Sequence, residues 1–126
     1  MLTLSVLPET LAICRLEREA SVPEWAMGEF VSITRTSDEL SIVCHERDVP
    51  SGVKADRGWR ALKIEGPLDL ALTGVLASIA VPLAEARINI FAISTFDTDY
   101  VLVKADRVTE AIGVLRNAGN YVISDE

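Results

Sequence analysis

The chain has 126 residues, 49% of them hydrophobic and 25% charged, which suits a packed core and argues against disorder. Its formal net charge is −7, and its 12 lysines and arginines are scattered along the chain. Phosphate binding needs concentrated positive charge, so a nucleic-acid partner is not expected. No apolar run approaches the roughly 20 residues that span a bilayer. The first residues lack a basic leader, so we expect a cytoplasmic protein without a membrane partner.

The first segment of the chain is predicted to form a β-hairpin. Two apolar runs, at residues 2–7 and 11–16, flank a Pro-Glu-Thr sequence at residues 8–10 that is typical of a turn. Residues 23–27 begin with proline and are predicted to form one turn of helix, with Ser21 as a candidate N-cap.

Two further strands are predicted in the first half, at residues 30–34 and 40–44. The segment 48–58 that follows is rich in glycine and proline, and it marks the boundary between two halves of the chain. The first half is therefore predicted to run strand, short helix, strand and strand, without a second helix.

The two cysteines, Cys14 and Cys44, each lie inside an apolar run that is predicted to be a strand. Buried free thiols in a reducing compartment are the simpler expectation, because such thiols behave as small apolar groups. A disulfide stays open as an alternative if the two strands are neighbours.

The second half alternates between predicted strands and helices. A strand at residues 59–64 is followed by a helix whose apolar residues repeat at the spacing of one helical face. These residues are Leu72, Val75, Leu76, Ile79, Ala80, Leu83 and Ala86. Pro82 falls inside this helix and removes the hydrogen bond to the carbonyl of Ser78, so we expect a kink or an early loosening there.

Two more strands, a second helix and a closing strand complete the second half. The two strands are predicted at residues 88–93 and 99–103. The last helix has Asp106 as its candidate N-cap and Gly119 just past its end, and a strand follows at residues 121–123. The order β-α-β-β-α-β is the split arrangement with an antiparallel four-stranded sheet and two helices on one face.

The turn between the two central strands carries the most informative chemistry of the chain. It offers hydroxyl groups, one aromatic ring and two carboxylates in a short stretch. The residues are Ser94, Thr95, Phe96, Asp97, Thr98 and Asp99. Such groups are suited to binding a small cationic or zwitterionic molecule and are poor tools for bond breaking, so they indicate a sensor or regulatory domain.

Catalytic and metal-binding roles find little support in the sequence. Asp97 and Asp99 could hold a divalent cation, but two acids alone are a very weak signal, and a solvent-facing turn residue explains Asp97 better. His45 follows Cys44, yet adjacent residues of a strand point to opposite faces and do not converge easily. No nucleophile elbow, phosphate loop or dinucleotide fingerprint is present. The sequence therefore predicts neither an enzyme nor a cofactor or metal site.

In the second half, Glu-Gly-Pro at residues 65–67 stands ahead of a helix, and the sequence of residues 83–103 contains Ser-Thr-Phe-x-x-Asp before an apolar strand. With these motifs, the second half resembles an ACT domain. Within this family it is similar to the ACT-like domains of the CASTOR-type arginine sensors and their small bacterial relatives. The resemblance is strong over residues 59–108 and weaker at residues 28–36.

The resemblance implies an α+β fold of tandem ferredoxin-like βαββαβ units, with antiparallel sheets and helices on one face. Residues 1–58 would form a degenerate N-terminal ACT-like unit, and residues 59–126 a complete ACT domain. It also implies that a small molecule, usually an amino acid, binds at an interface between ACT domains. The chain has the length of two such domains instead of the four of the sensors, so a homodimer would rebuild their arrangement. Any output would pass through an unidentified effector protein.

The first ligand-facing element implied by the resemblance is the helix start. Thr73, Gly74 and Val75 would hold a carboxylate through free backbone N–H groups and the positive end of the helix dipole. The arginine sensors carry an acid where this chain has Leu72. Arginine itself is therefore not expected to be the ligand.

The second implied element is the turn, where Thr95, Phe96, Thr98 and Asp99 would face the ligand, with Asp99 as partner of an amino group. The rival expectation is a structural interaction module of the same fold without a ligand, because a fold does not fix a function. A ligand site requires the helix start and the turn to converge on an open cavity. The interaction module requires Phe96 and Leu72 to fill that space.

Overall fold

The structure, a computed structural model, describes residues 1–68 and 73–124. The chain divides into two compact units. The C-terminal unit combines Met1–Pro8 with Arg60–Glu126, and the N-terminal unit is Glu9–Trp59. The division next to residue 59 lies at the end of the predicted connector.

Two strands are long enough to contribute residues to both units, namely β1 (Thr3–Leu16) and β4 (Lys54–Ile64). Residues 1–8, which we expected in the N-terminal unit, group with the C-terminal one. The reason is that the start of β1 pairs in parallel with the last strand of the chain, from Thr3 opposite Tyr121 onward. That both units follow an ACT-like plan stays a prediction.

The N-terminal unit contains a small antiparallel sheet. Strand β2 (Ser32–Arg35) pairs with β3 (Leu40–His45), and β3 pairs with residues 11–16 of β1. The buried core of this unit consists of Ala12, Cys14, Ala26, Leu40, Ile42, Cys44 and Val49. Both cysteines are buried and free on neighbouring strands, so the expectation of free thiols is confirmed.

Two local predictions for the first half are wrong, and one strand starts earlier than predicted. The hairpin is absent, because β1 runs without a break through Pro8 and is held by neighbouring strands on both sides of it. Residues 23–27 form a hydrogen-bonded turn and no helix. Strand β4 begins at Lys54, inside the predicted connector 48–58 and five residues before the predicted strand start at residue 59.

The C-terminal unit follows the predicted order of elements. After β4 come α1 (Val75–Glu85), β5 (Phe91–Ser94), β6 (Asp99–Lys104), α2 (Val108–Asn117) and β7 (Tyr121–Ile123). The strand order within this unit is β7-β1-β4-β6-β5, with β5 antiparallel to β6 and β7 parallel to β1. The predicted sheet of four antiparallel strands is thus corrected, because the start of β1 lies between β4 and β7.

Both helices pack on one face of this sheet. Their apolar side chains meet those of the strands in one buried cluster, which confirms the mixed α and β fold with helices on one face. The cluster consists of Leu4, Leu62, Ile64, Ile79, Leu83, Ile88, Val101, Val103, Val108, Ala111, Ile112, Leu115 and Val122. Its members alternate along the strands and recur every three or four residues along the helices, as the geometry of each element requires.

The helix ends follow the prediction only in part. Helix α1 continues beyond Pro82 to Glu85. Asp106 is not the N-cap of α2, because it lies in a short 3₁₀ turn and Arg107 takes the cap position without a side-chain bond. Gly119 follows α2 with a φ of +95°, as expected of the residue after a helix. Within the described ranges, neither helix is long and apolar enough to cross a membrane.

Candidate functional site

A tight turn at residues 95–98 joins β5 to β6. Its backbone is closed by Thr95 N, which donates to the Thr98 oxygen at 2.8 Å. The Thr95 side chain adds two bonds, since its Oγ1 donates to the Thr98 oxygen at 3.1 Å and accepts from Thr98 N at 3.3 Å. Such local bonds are a common reason for threonine in turns. The turn is therefore fixed by its own residues, with Phe96 and Asp97 at its tip.

Two longer-range hydrogen bonds join this turn to the last residue of β4 and to the segment that follows it. Thr98, which is 6% exposed, donates its Oγ1 proton to the oxygen of Ile64 at 2.5 Å. Leu68 N donates to the oxygen of Asp97 at 2.7 Å. Buried hydrogen bonds are costly to leave unmade. The two bonds therefore hold residues 64–68 and the turn in one arrangement.

These two segments border a small cavity of about 230 Å³. Its lining residues are Lys63, Gly66, Pro67, Asp97 and Thr98. Pockets for drug-sized ligands measure roughly 300–1,000 Å³. The cavity is thus sized for a smaller molecule, or for the polar end of a larger one.

Two of the lining residues carry opposite charges. Lys63 is half-buried and Asp97 is exposed. Neither side chain forms an ion pair or a hydrogen bond with any residue of the ranges 1–68 and 73–124. Both charged residues line the cavity.

Gly66 permits the close approach of the two segments. A Cβ at this position would lie 2.8 Å from Leu68 N and 3.3 Å from the oxygen of Asp97. Both distances are shorter than ordinary van der Waals contacts of a Cβ atom. The missing side chain is what lets the backbone pass so close to the turn. The Gly66–Pro67 peptide bond is cis.

The start of α1 offers backbone donors. Gly74 precedes the first helical residue, Val75, and has a φ of +76°, a conformation that glycine adopts without strain. Among the described residues, no side chain caps this end of the helix. The first N–H groups of a helix have no partner within the helix and are the kind of donor that binds a carboxylate. Leu72, on which the expectation about arginine rests, lies outside the described residues.

Comparison with known proteins identifies the family. A family model described as an ACT domain matches residues 54–117, about half of the chain. The chain belongs to the ACT domain family. A second family model, described as an N-terminal domain, matches residues 9–52 of this ACT protein.

The curated relatives of this ACT protein include mammalian sensors. It is 33% identical over 108 residues to the Homo sapiens protein named cytosolic arginine sensor for mTORC1 subunit 1, covering 79% of this chain and 33% of that protein. The Mus musculus protein of the same name is 41% identical over 108 residues, with the same coverage. The chain thus spans about a third of the length of the curated relatives it matches.

Solved structures agree on the fold. A structural-genomics protein from Agobacterium tumefaciens is 40% identical with a TM-score of 0.93, and the match covers 99% of this chain and 94% of that one. The regulatory subunit of aspartate kinase from Thermus thermophilus is 12% identical with a TM-score of 0.62, covering 90% and 97%. At that identity the likeness shows the fold alone.

The predicted turn residues have different positions in this ACT domain. Thr98 lines the cavity, and Thr95 closes the turn behind it. Phe96 is 80% exposed at the tip. Asp99 is half-buried at the first position of β6 and does not line the cavity. A ligand-binding role for these residues stays a prediction.

The predicted helix-start residues do not line the cavity either. Thr73 and Gly74 are exposed, and Val75 is half-buried against the core cluster. This cavity therefore does not join the helix start and the turn. That the two elements meet at a ligand site stays a prediction.

Four cavity residues were not predicted as ligand-facing. Gly66 and Pro67 were taken only as part of a family signature, and Asp97 was weighed as solvent-facing. Lys63 was missed altogether. A signal was present in the sequence, since Lys63 is the one charged residue between Ala61 and Ile64, both of which are buried.

In the described part of the chain, no group of three or more His, Cys, Asp or Glu side chains could hold a metal ion.

Proposed function

We propose that this protein is a regulatory sensor of the cytoplasm that binds a small molecule, an amino acid in the simplest case, and catalyses no reaction. The observation that carries the proposal is the cavity beside the turn, whose lining offers one positive charge, one negative charge and firmly held backbone. The names of the mammalian relatives support an amino acid as the first ligand class to test.

The proposed working form is a homodimer with the ligand at an interface between two ACT domains. Phe96 supports this form, because an aromatic side chain that is 80% exposed on an ordered turn gains most from contact with a partner or a ligand. In the dimer, Thr95, Phe96, Thr98 and Asp99 of one copy would face Thr73, Gly74 and Val75 of the other. Ligand binding would stabilise the dimer and so change what its surface recruits.

The second candidate function is a structural interaction module of ACT fold without a ligand. Phe96 does not fill the cavity of its own chain, as this module was expected to require, but its exposed ring is available for contact with a partner protein. The two functions differ in whether a small molecule changes the stability of the protein.

A thermal-shift screen of the twenty amino acids at millimolar concentration tests for a ligand. A ligand at about 100 times its dissociation constant adds roughly 2.7 kcal/mol to the stability of the state that binds it. We expect one amino acid, or a few related ones, to raise the melting temperature by several degrees.

The control for this screen is the shift measured in two variants. Asp99→Ala should lose most of the ligand-induced shift, whereas Asp38→Ala removes an exposed acid outside the predicted site and should keep it. The shift is compared between each variant with and without ligand, so a change in basal stability does not matter. Twenty flat curves for the wild type would favour the interaction module.

Replacing Phe96 with serine should weaken the homodimer. Burial of a ring at an interface removes on the order of 100 Å² of apolar surface from water, which is worth about 2 kcal/mol or about thirtyfold in the dimer dissociation constant. Tyr121→Ser, which removes a ring that is 67% exposed on β7, is the matched control. Sedimentation velocity over a range of concentrations measures the dimer dissociation constant of each variant. An unchanged dimer in Phe96→Ser would contradict the proposed interface.

A further inference from the structure

A lysine and an aspartate that have no ion-pair partner among the described residues line the same cavity. Lys63 lies on β4 between Leu62 and Ile64, both of which are fully buried. Lysines in such surroundings usually carry their charge to water or to a partner group. Lys63 is half-buried and lines the cavity.

Asp97 is held in place by contacts that leave its carboxylate unused. Its backbone oxygen accepts the hydrogen bond from Leu68 N, and the neighbouring Thr98 is bonded to β4 through its side chain. The side-chain carboxylate has no bonded partner in the described residues. A charge on a fixed backbone loses little conformational freedom on binding, so the arrangement favours recognition.

The two charges do not neutralise each other. Lys63 and Asp97 border one cavity of about 230 Å³, yet they form no ion pair with each other. A molecule that carries one negative and one positive group would meet an opposite charge for each. Hydrogen bonds between ionised groups are stronger than neutral ones, so such a ligand would gain from both contacts.

We infer that Lys63 and Asp97 recognise the two charges of a zwitterionic ligand, with Lys63 binding the carboxylate and Asp97 the ammonium group. The inference rests on the proposed function and deepens it. It assigns the carboxylate to a side chain of β4 in place of the start of α1, and the ammonium group to Asp97 in place of Asp99. The ligand class is a free α-amino acid with both groups ionised, and decarboxylated or N-acylated forms bind poorly.

The test combines side-chain variants with ligand analogues. Each amino acid that stabilises the wild type is titrated calorimetrically, together with its α-carboxamide and its N-acetyl derivative. The variants are Lys63→Met, which keeps an apolar stem, and Asp97→Asn, which keeps the shape of the side chain. Lys54→Met and Asp38→Asn remove the same charges at exposed positions outside the cavity and serve as matched controls.

The wild type should bind the free amino acid about tenfold more tightly than either derivative, the usual size of a lost charged hydrogen bond. In Lys63→Met the preference over the carboxamide should disappear, while the preference over the N-acetyl derivative persists. Asp97→Asn should show the reverse pattern. Partial unfolding cannot imitate this result, because it would weaken binding of all three compounds together.

The outcomes separate this inference from the proposed function. Wild-type binding with the same preferences in both variants would overturn the roles of Lys63 and Asp97 and leave the sensor function standing. No response of the wild type to any amino acid would overturn both. That result appears in the thermal screen, before any variant is made.

Discussion

Replacing Gly66 with alanine should lower the free energy of unfolding by about 2–4 kcal/mol, a large part of the stability of a small protein. The new Cβ would lie 2.8 Å from Leu68 N and 3.3 Å from the oxygen of Asp97. Both are backbone atoms, which cannot rotate away as the end of a side chain can. Relief requires a shift of the segment or of the turn, and that shift strains the bond between Leu68 N and the Asp97 oxygen.

The matched control is the same substitution at Gly113. A Cβ there would meet no atom within 4 Å, and the residue lies inside α2 without a positive φ. Alanine should therefore stabilise the protein by about 0.5–1 kcal/mol, because it costs less conformational entropy in a helix. Urea unfolding followed by circular dichroism measures both variants. An unchanged urea midpoint for Gly66→Ala would contradict the close packing of residue 66 against Leu68 and the turn.

The helical half of the fold could be predicted because its signals are local. Apolar residues at a spacing of three and four define a face by themselves, and Ile79, Leu83 and Leu115 are all fully buried as that spacing requires. The position of Gly119 after α2 is likewise set by its own backbone conformation. No partner from elsewhere in the chain is needed for either conclusion.

Strand β1 could not be predicted because its conformation is set by distant residues. A local pattern of proline between two apolar runs favours a turn at Pro8. In the fold, Leu4 pairs with Val122 on one side of Pro8, and Leu11 pairs with His45 on the other. Pairing at both ends keeps the chain extended and overrides the local preference of the residues between them.

The candidate site also has one part that follows from local sequence and one part that depends on distant residues. The two threonines of the turn bond to each other, so their closeness follows from a separation of only three residues. The cavity instead depends on a bond from Thr98 to Ile64, across 34 residues of sequence. Nothing local to Lys63 shows that its strand ends against this turn. Its role could be proposed only after the fold brought the two segments together.

The thiols of Cys14 and Cys44 should be close to inert in the folded protein. The residues lie near each other on neighbouring strands, with Cys14 opposite Ile42 and Ala12 opposite Cys44. Burial raises the pKa of both thiols, and for Cys44 the nearby Cys14 and the charge of Asp48 add to the effect. The pKa of Cys44 rises from 9.0 to about 11. Because only the thiolate is a nucleophile, reactivity falls with the thiolate population.

Labelling of Cys44 with Ellman's reagent at pH 8 should be about a hundredfold slower in the native protein than in urea, since a pKa higher by two units leaves about one hundredth of the thiolate. Burial of Cys44, which is 0% exposed, slows the reagent further. Native labelling at the rate of the unfolded chain would contradict the burial of these strands.

The same pKa shift predicts that stability falls at alkaline pH. Below pH 9 the Cys44 thiol is protonated in the folded and in the unfolded state, so the protonated thiol makes its full contribution to the free energy of unfolding. Between pH 9 and about 11 the thiol ionises in the unfolded state but stays protonated in the folded state. Ionisation therefore stabilises the unfolded state, and the free energy of unfolding drops by about 2 kcal/mol.

Cys44→Ala removes this titration and leaves the tyrosines and lysines in place. The difference between wild type and variant, measured by urea unfolding at pH 8 and pH 11, isolates the thiol. Equal losses in both proteins would mean that the thiol of Cys44 ionises as readily in the fold as in the unfolded chain.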